Sequence, residues 1–596
     1  MSVSESSSST IGRFAQRRRA GHVSVRRQRG VTAILAAVCI GLAIAALGVI
    51  DVGNYYFARR EMQRTADLAA AAGAQTISNG GGCTSATNSA NNNAVKGNGL
   101  STGATVTVVC GRWDPTVNAG QSYFATSGAP MNAVQVTVSQ TVPYFFAGPA
   151  RVIQAVSTAQ ATNVRSFSVT PTVASLSGGL LNGLLNGLLP GANLNLSVAS
   201  YQGLATTQIK LGDLAAALGV GTMSQLLGTQ VSLAKLVSAM VTAAGKSATL
   251  GVTAITDLGT IQAAIPSGLN VALGANSTTN GLLTVALDDP QAAVNATVSL
   301  LDTLLVAAEV AQGQTAVNLG TALSLGSLAN VTAQVKILEP PVIAVGEAGN
   351  NADGTPRTSA HSADVRLYLN VNLLSINLAG LATVTALNLP IYIEVGTGTA
   401  SLQSTQCTAS KATSQSVISA QPGLAYVCVG NDAISNFTNT TTTATCNQAA
   451  LVTNATVGTY SLISIYAGNP TTNAGLSFKV QPPAATPLTF NGISGDSDDY
   501  QTANSNAVGS VAINLLTQIN NSLLSSLYLT VGGVNPGPIV AALLQPLLTA
   551  VDTLLSPLLT ALDGLLVPLL QLLGVQIGEV TVHDLGLACG QAQLVY

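Results

Sequence analysis

The residues of this sequence with the most distinctive chemistry are its cysteines, because two cysteine thiols can form a covalent disulfide bond. The sequence holds seven cysteines. Cys39 lies inside an apolar run. The other six lie further along the chain: Cys83, Cys110, Cys407, Cys428, Cys446 and Cys589. Disulfides persist in oxidising compartments outside the cytoplasm, so these six are candidates for bridges if this part of the chain is exported.

The spacing of these six cysteines does not choose a pairing, because six cysteines allow many connectivities. We expect Cys83 to pair with Cys110, since both belong to one N-terminal region and bracket a segment rich in Asn and Gly. The alternative is that several of the six remain free thiols.

Metal-binding patterns are weak in this sequence. No two cysteines have the spacing of a zinc site, and the three histidines, His22, His361 and His583, are scattered. The acidic cluster Asp496-Ser497-Asp498-Asp499 offers carboxylate oxygens of the kind that bind calcium, but it lacks the twelve-residue calcium-loop pattern. A polar turn is the favoured interpretation, and the sequence predicts no metal and no cofactor.

Catalytic motifs are also incomplete. Gly245-Lys246-Ser247 is similar to the end of a phosphate-binding loop, but Met240 stands where that loop requires a glycine. The sequence has no G-x-S-x-G motif, and three histidines leave little material for a catalytic triad. We therefore predict no catalytic residues, no small-molecule substrate and a protein that is not an enzyme.

The composition narrows the classes of partner. Charged residues make up 8% of the chain and hydrophobic residues 47%, whereas an ordinary soluble domain has roughly 25% charged residues. After residue 67 there are 12 basic and 20 acidic side chains. Such an acidic balance gives no basic groove for nucleic acid, so we predict no nucleic-acid partner.

An apolar run at residues 31–50 follows a tail with seven arginines and one acidic residue, Glu5. Twenty helical residues cover roughly 30 Å, the thickness of the hydrocarbon core of a bilayer. Arg26, Arg27 and Arg29 before the run, and Asp51 after it, predict a single-pass helix with residues 1–30 in the cytoplasm and the rest exported. The alternative is a cleaved secretory signal.

The elements after this run should form a first exported domain at residues 51–165. The helical pattern continues past residue 51, with a stripe of residues spaced three or four apart: Val52, Tyr55, Tyr56, Met62, Ala66, Ala69 and Gly73. Alternating segments at 104–113, 132–142 and 151–162 predict strands. We expect the helix to pack its alanine stripe on a small antiparallel sheet, a pilin-like plan.

Several of these residues together resemble the N-terminal domain of TadG-like Flp (tight adherence) pilus assembly proteins. They are Arg29-Gly30, the single apolar span, Asp51-Val52-Gly53 and the run from Met62 to Ala74. Later stretches, among them 199–204, 210–219 and Cys589-Gly590, are similar to the C-terminal region of the same group. The resemblance implies a bacterial inner-membrane protein with a periplasmic bulk and pilus assembly proteins as partners.

Two departures from related families limit this resemblance. Type IV prepilins carry a glutamate five residues beyond the processed glycine, and this chain has Leu35 there, counting from Gly30. We therefore do not expect prepilin processing or a place as a filament subunit. The cluster at 496–499 also does not match the Asp-x-Ser-x-Ser motif of the adhesion domain that some TadG relatives carry.

The remainder, residues 166–596, predicts a larger exported α+β domain with Leu-rich helices. Polar residues dominate 429–505, which predicts a surface insertion. An 11-residue Leu/Pro repeat covers 546–578. It predicts a core-forming helical hairpin, with a membrane-surface helix or a second span as alternatives.

The sequence as a whole predicts an α+β protein that is a non-enzymatic, membrane-anchored component assisting assembly or anchoring of a Flp-type adhesive pilus. A cell-surface adhesin or structural envelope protein is the alternative. An exported hydrolase with an unrecognised site is a third hypothesis.

Overall fold

The computed structural model describes most of the chain from residue 29 to residue 595. The gaps are 119–121, 129, 147, 170–177, 248–252, 277, 288, 319–328, 374–375, 379–381, 385–386, 440–442, 458–459, 481, 483, 505–526, 533, 535–569 and 571–578. Arg26 and Arg27 lie outside the described residues, as does nearly all of the Leu/Pro repeat.

Ten α-helices occur among the described residues. They are α1 (Arg29–Ser78), α2 (Cys83–Asn92), α3 (Gly178–Leu188), α4 (Val198–Thr206), α5 (Leu211–Leu218), α6 (Met223–Leu227), α7 (Leu233–Ala244), α8 (Ala254–Ala264), α9 (Leu300–Gln312) and α10 (Asp432–Thr438).

The strands of the described residues are, in chain order, β1 (Ala104–Trp113), β2 (Phe124–Ala125), β3 (Ala133–Val142), β4 (Arg151–Gln160), β5 (Val164–Val169), β6 (Gln208–Lys210), β7 (Gln230–Ser232), β8 (Asn270–Ala272), β9 (Leu283–Ala286), β10 (Thr297–Ser299), β11 (Val317–Asn318), β12 (Ala329–Glu339), β13 (Ile343–Gly346), β14 (Ser359–His361) and β15 (Asp364–Leu373). They continue as β16 (Ile376–Leu378), β17 (Ala382–Val384), β18 (Leu387–Val395), β19 (Thr399–Gln406), β20 (Gln415–Gln421), β21 (Ala425–Val429), β22 (Ala450–Val457), β23 (Tyr460–Ala467), β24 (Leu476–Val480), β25 (Thr486–Asn491), β26 (Tyr500–Asn504), β27 (Leu527–Val531), β28 (Glu579–Ala588) and β29 (Gln593–Val595).

These strands form five larger sheets. The N-terminal sheet has the order β2-β1-β3-β4-β29, and the central sheet has the order β26-β28-β5-β13-β9. The other three are the six-stranded β11-β12-β15-β18-β21-β24, the four-stranded β14-β19-β20-β25 and the five-stranded β16-β17-β22-β23-β27. An N-terminal apolar helix followed by strand-rich regions confirms the predicted α+β class.

The described chain divides into two compact units. One holds α1 up to Met62 together with Ser139–Gln154, and the other holds Gln63–Val138 and the chain from Ala155 onward. The predicted domain boundaries at residues 30, 50 and 165 stay predictions. Helix α1 itself runs without a break through residue 50.

The C-terminal half of α1 buries small residues, as the sequence predicts. Ala66, Ala69 and Ala70 are fully buried. A Cβ added to Gly73 would lie only 3.0 Å from a methyl group of Val134 on β3, so glycine permits the close approach of helix and sheet. Val52, at the start of the stripe, is more than half exposed.

The Leu-rich helices and the six-stranded sheet share one large apolar core. In and just after α3, Leu181, Leu184, Leu185, Leu188 and Leu189 are buried. The side chains of Asn182 and Asn186 hydrogen-bond to backbone groups as a neighbouring strand would. Asn182 donates to the carbonyl oxygen of Leu196 (2.9 Å) and accepts from its N–H (2.8 Å). Asn186 makes the same pair of bonds with Leu194. The Gly-Leu-Leu-Asn repeat therefore combines an apolar face with a hydrogen-bonding edge.

The Thr/Asn-rich segment 429–505 is not a surface insertion throughout. It forms α10 and β22–β26, and β24 pairs with β21 at the edge of the six-stranded sheet. Asp432 and Phe437 of α10 are buried, and Asp432 accepts hydrogen bonds from the backbone N–H groups of Asn447 and Gln448. Thr and Asn suit outward strand faces and caps, so polar composition here does not mean a loop.

A buried carboxyl group on α9 should make stability depend on pH. Glu309 is 2% exposed, and its Oε2 atom has no hydrogen-bond partner among the described residues. Burial raises the pKa of Glu309 well above its ordinary value of 4.5. The folded state therefore keeps a proton that the unfolded chain loses, and the free energy of unfolding falls as pH rises from 4.5 to the folded-state pKa.

We expect Glu309→Gln to remove this loss, which amounts to about 1.4 kcal/mol for each pH unit within that window. Denaturant unfolding of both proteins between pH 5 and 8 measures the difference. The matched control is Glu339→Gln, whose side chain is half exposed. If the free energy of unfolding of the Glu309→Gln protein does not rise relative to that of the parent as pH rises, this result would contradict a raised pKa of Glu309.

Candidate functional site

Helix α1 presents a long apolar surface to its surroundings. Ile34, Leu42 and Val49 are each about two-thirds exposed, at 67%, 66% and 70%. Among the described residues, this is the one helix long and apolar enough to cross a membrane. Its exposed residues 31–50 carry no charge, and an apolar surface of this length is matched by lipid. The helix fits a single-pass membrane protein.

The predicted topology residue Asp51 sits at the end of this surface and is 1% exposed. Its Oδ1 accepts a hydrogen bond from the backbone N–H of Phe145 (2.7 Å), and its Oδ2 accepts one from Phe146 (3.1 Å). Asn54, one turn further on, approaches the carbonyl oxygen of Pro143 at 3.5 Å. Sequence reasoning missed this partner, because nothing local relates residue 51 to residue 145. Arg29 begins α1.

The six predicted cysteines form three disulfides: Cys83–Cys110, Cys407–Cys589 and Cys428–Cys446. The first is the pairing favoured from the sequence. The second closes a loop of sequence separation 182 and joins the end of β19 to the segment after β28. Cys39 is an exposed free cysteine in the apolar stretch of α1.

A buried ion cluster joins the N-terminal sheet to the central sheet. Arg112 on β1 contacts both carboxylate oxygens of Glu347, which follows β13. Arg357 reaches the same carboxylate at 2.7 Å. Arg112 also donates to the carbonyl oxygen of Pro130 at 2.8 Å. Arg112 and Glu347 are separated by 235 positions, so sequence reasoning did not pair them.

A second buried polar cluster lies where the central sheet meets α9. Register aligns Ser168, His583 and Tyr500 on the neighbouring strands β5, β28 and β26. The hydroxyl group of Ser168 donates to Asp302 Oδ2 at 2.6 Å, and Nδ1 of His583 lies 2.7 Å from the same oxygen. The Tyr500 ring stacks on the imidazole at 3.9 Å between centroids.

The electrostatics of this cluster favour a charged imidazole. Burial by itself lowers the pKa of His583, but the charge and hydrogen bond of Asp302, with Asp499 and Asp584 nearby, raise that pKa overall. A catalytic triad needs a hydroxyl group that gives its proton to the histidine. Here the Ser168 hydroxyl group and the His583 imidazole both contact Asp302 Oδ2. This arrangement connects β5 and β28 to α9.

Arg165 forms the other buried ion pair of the central sheet. Its guanidinium contacts both carboxylate oxygens of Asp584 and donates to Ser416 (3.0 Å) and to the carbonyl oxygen of Asn491 (2.8 Å). Burial raises the pKa of Asp584, and Arg165 opposes that rise. Arg165 itself is fully buried, so the pair links β5, β28 and the four-stranded sheet at one point.

The acidic cluster 496–499 folds as a tight turn around Asn491. The side-chain amide of Asn491 donates to Asp496 (2.9 Å) and Asp498 (3.0 Å), and the N–H of Gly495 donates to Asp499. Burial raises the pKa of Asp499 to about 6. The oxygens of the three carboxylates lie within 4.8 Å of one another, but amide donors already engage each carboxylate.

The described residues thus form an α+β protein with one candidate membrane helix, followed in the chain by further helices and strands. Residues 30–76 match the family described as putative Flp pilus-assembly TadE/G-like, and residues 72–162 match putative Tad-like Flp pilus-assembly. The matched regions correspond to α1 and to α2 through β4. Over residues 30–162 these two matches support the predicted resemblance to TadG-like Flp pilus assembly proteins.

A third family model, the domain of unknown function DUF8293, matches residues 177–311, which correspond to α3 through α9. No curated protein and no solved structure matches this chain. This third match covers the Leu-rich helices and does not overlap the two pilus-assembly matches.

The buried His583 cluster predicts a pH-dependent contribution to stability. Because the folded-state pKa lies above the ordinary value of 6.5, the ion pair with Asp302 stabilises fully below pH 6.5 and loses this effect as pH rises through the folded-state pKa. We expect His583→Gln to cost most free energy of unfolding near pH 6 and clearly less near pH 9.

Denaturant unfolding at both pH values measures this cost. His361→Gln is the control, since His361 and Glu339 are 28% and 50% exposed and their ion pair contributes little at either pH. An equal cost of His583→Gln at pH 6 and pH 9 would contradict a raised pKa of His583 in the folded state.

Proposed function

We propose that this protein is a non-enzymatic component of Flp pilus assembly, anchored in the bacterial inner membrane by α1. Its N-terminus is cytoplasmic, its bulk is periplasmic, and it acts through contacts with other pilus assembly proteins. The observation that carries the proposal is the pair of pilus-assembly matches over residues 30–162, whose first member coincides with the apolar helix.

The charge distribution supports the orientation. Seven arginines precede the apolar stretch against a single Glu5, and an excess of basic residues keeps the flanking segment in the cytoplasm. The disulfides support it as well, because six of the seven cysteines lie beyond the span and are paired. Disulfides of this kind persist in the periplasm and not in the cytoplasm.

The polar clusters support a role without turnover. Ser168, Asp302 and His583 are each at most 3% exposed, and their hydrogen bonds connect strands to a helix. Arg112, Glu347 and Arg357 likewise connect two sheets. In the proposed role these buried groups stabilise the fold, and the protein acts through contacts with other proteins.

The orientation is tested by protease protection on spheroplasts, with one epitope tag before Arg13 and another after Tyr596. We expect full-length protein in the inner membrane, a digested C-terminal tag and a protected N-terminal tag. Replacing Arg26, Arg27 and Arg29 by Glu should leave part of the population inverted, with its C-terminal tag protected.

Arg59→Glu/Arg60→Glu is the matched control, because it removes basic residues from the exported side and should leave the orientation unchanged. A shortened chain released from the membrane would contradict anchoring, and the cell-surface adhesin or structural envelope protein would then be the better interpretation.

The non-enzymatic role is tested by complementation of a strain that lacks this gene and has lost its Flp pili. Ser168→Ala removes the hydroxyl group of the one Ser-Asp-His cluster described above. We expect it to restore pili as well as the parent does. Loss of pili with normal amounts of membrane-bound, disulfide-bonded Ser168→Ala protein would contradict the proposal and favour catalysis.

A further inference from the structure

An exposed pair of aromatic rings lies in the loop that joins β3 to β4. Phe145 is 62% exposed and Phe146 is 56% exposed. Their ring centroids are 6.3 Å apart, so the two rings form one small apolar surface. Val152, at the start of β4, is 68% exposed and extends the apolar character of this loop. Solvent exposure of adjacent phenylalanines is costly in water and points to a partner.

This loop is fastened to α1 through its backbone. Both carboxylate oxygens of Asp51 are used, one by the N–H of Phe145 and one by the N–H of Phe146. Asn54 adds a longer contact to Pro143. The carboxylate is nearly completely buried beneath the loop. The two rings are therefore held at the level of residue 51 of the helix.

That level is the end of the apolar stretch. Ile50 is the last of the twenty uncharged positions, and Asp51 is the first charged residue after them. If residues 31–50 cover the hydrocarbon core, Asp51 stands where hydrocarbon gives way to lipid headgroups. The N–H of Phe145 is 2.7 Å from its carboxylate, so both rings reach that boundary within the length of a side chain.

We propose that Phe145 and Phe146 insert into the interfacial layer of the membrane that α1 spans, on the side where the residues after Asp51 lie. The occupant of this apolar surface is lipid, because the surface continues the apolar surface of the span. This inference rests on the proposed membrane anchoring. It adds a second lipid contact, made by a loop almost one hundred residues further along the chain.

Asp51 is the positioning residue of this contact. Backbone N–H groups that approach lipid lose their water partners and need an acceptor from the protein. Asp51 supplies two acceptor oxygens at the one place where the loop reaches the membrane, and the loop in turn shields the carboxylate. With both the span and the loop in contact with the membrane, the tilt and rotation of α1 are restricted. In a protein with a single span alone, lipid and the flanking residues determine both.

The test uses the full-length protein in proteoliposomes whose lipids carry bromine at shallow or at deep acyl positions. The reporter is Phe145→Trp, and the parent, with its native Trp113, gives the background. We expect shallow bromine to quench the new tryptophan about twofold more strongly than deep bromine, as for a side chain at the interface. Val49→Trp reports on the span itself.

Two further variants in the Phe145→Trp protein test the positioning role. Asp51→Ala removes both acceptors and should reduce shallow quenching at least about twofold, since the loop loses its attachment. Asp67→Ala removes another carboxylate of α1, one that only accepts a bond from Gln63 in the part of the chain described, and should leave quenching unchanged. Non-reducing electrophoresis confirms that each variant keeps its disulfides.

The outcomes separate the two levels of inference. Quenching of Val49→Trp without quenching of Phe145→Trp would overturn the lipid contact and point to a protein partner for the phenylalanines. No quenching of either reporter would overturn the membrane anchoring on which the inference rests. Equal quenching in the Asp51→Ala and Asp67→Ala proteins would overturn the role of Asp51.

Discussion

The surface of helix α1 must match a different environment in each part of its length, and much of the structure depends on that constraint. Its residues 31–50 are exposed and uncharged, and the large side chains among them are all apolar, which suits lipid. From Met62 onward its buried positions are chiefly alanine and glycine, which let strands approach closely. Asp51 stands between these parts and is matched to backbone donors. A single unbroken helix therefore carries three different surfaces.

Several of the charged residues after residue 67 make long-range connections. Arg112 with Glu347, Arg165 with Asp584, and His583 with Asp302 are buried pairs separated by 235, 419 and 281 positions. Burial of charges costs desolvation energy that close pairing only offsets, so such pairs contribute more to a unique arrangement than to net stability. Their value here is in selecting which strands become neighbours.

Closure of the fold depends on the C-terminal residues. Strand β28 lies between β26 and β5 in the central sheet, and β29 pairs with β4 in the N-terminal sheet. The Cys407–Cys589 bridge joins the same region to β19. Neither sheet is complete until the residues from Glu579 onward are present, and pairing across such separations slows folding. The two sheets are therefore completed late in folding.

The sequence by itself determined the candidate membrane helix, the alanine stripe that packs on a sheet and the α+β class, because helical spacing and apolar length act over neighbouring residues. The resemblance to a pilus-assembly family rests instead on particular residues between Arg29 and Ala74. The sequence misjudged residues 429–505, since Thr and Asn suit strands and caps as well as loops.

Only the tertiary structure decided the partners of Asp51, the two other disulfides, and the clusters around Glu347 and His583. The shorter of these disulfides joins residues 18 positions apart, and the longest of these contacts joins residues 281 positions apart. The chemistry of a charged group or a thiol determines which kind of partner it can bind, but the sequence contains several possible partners of each kind. Strand register and sheet order select one, because they alone place distant atoms within bonding distance.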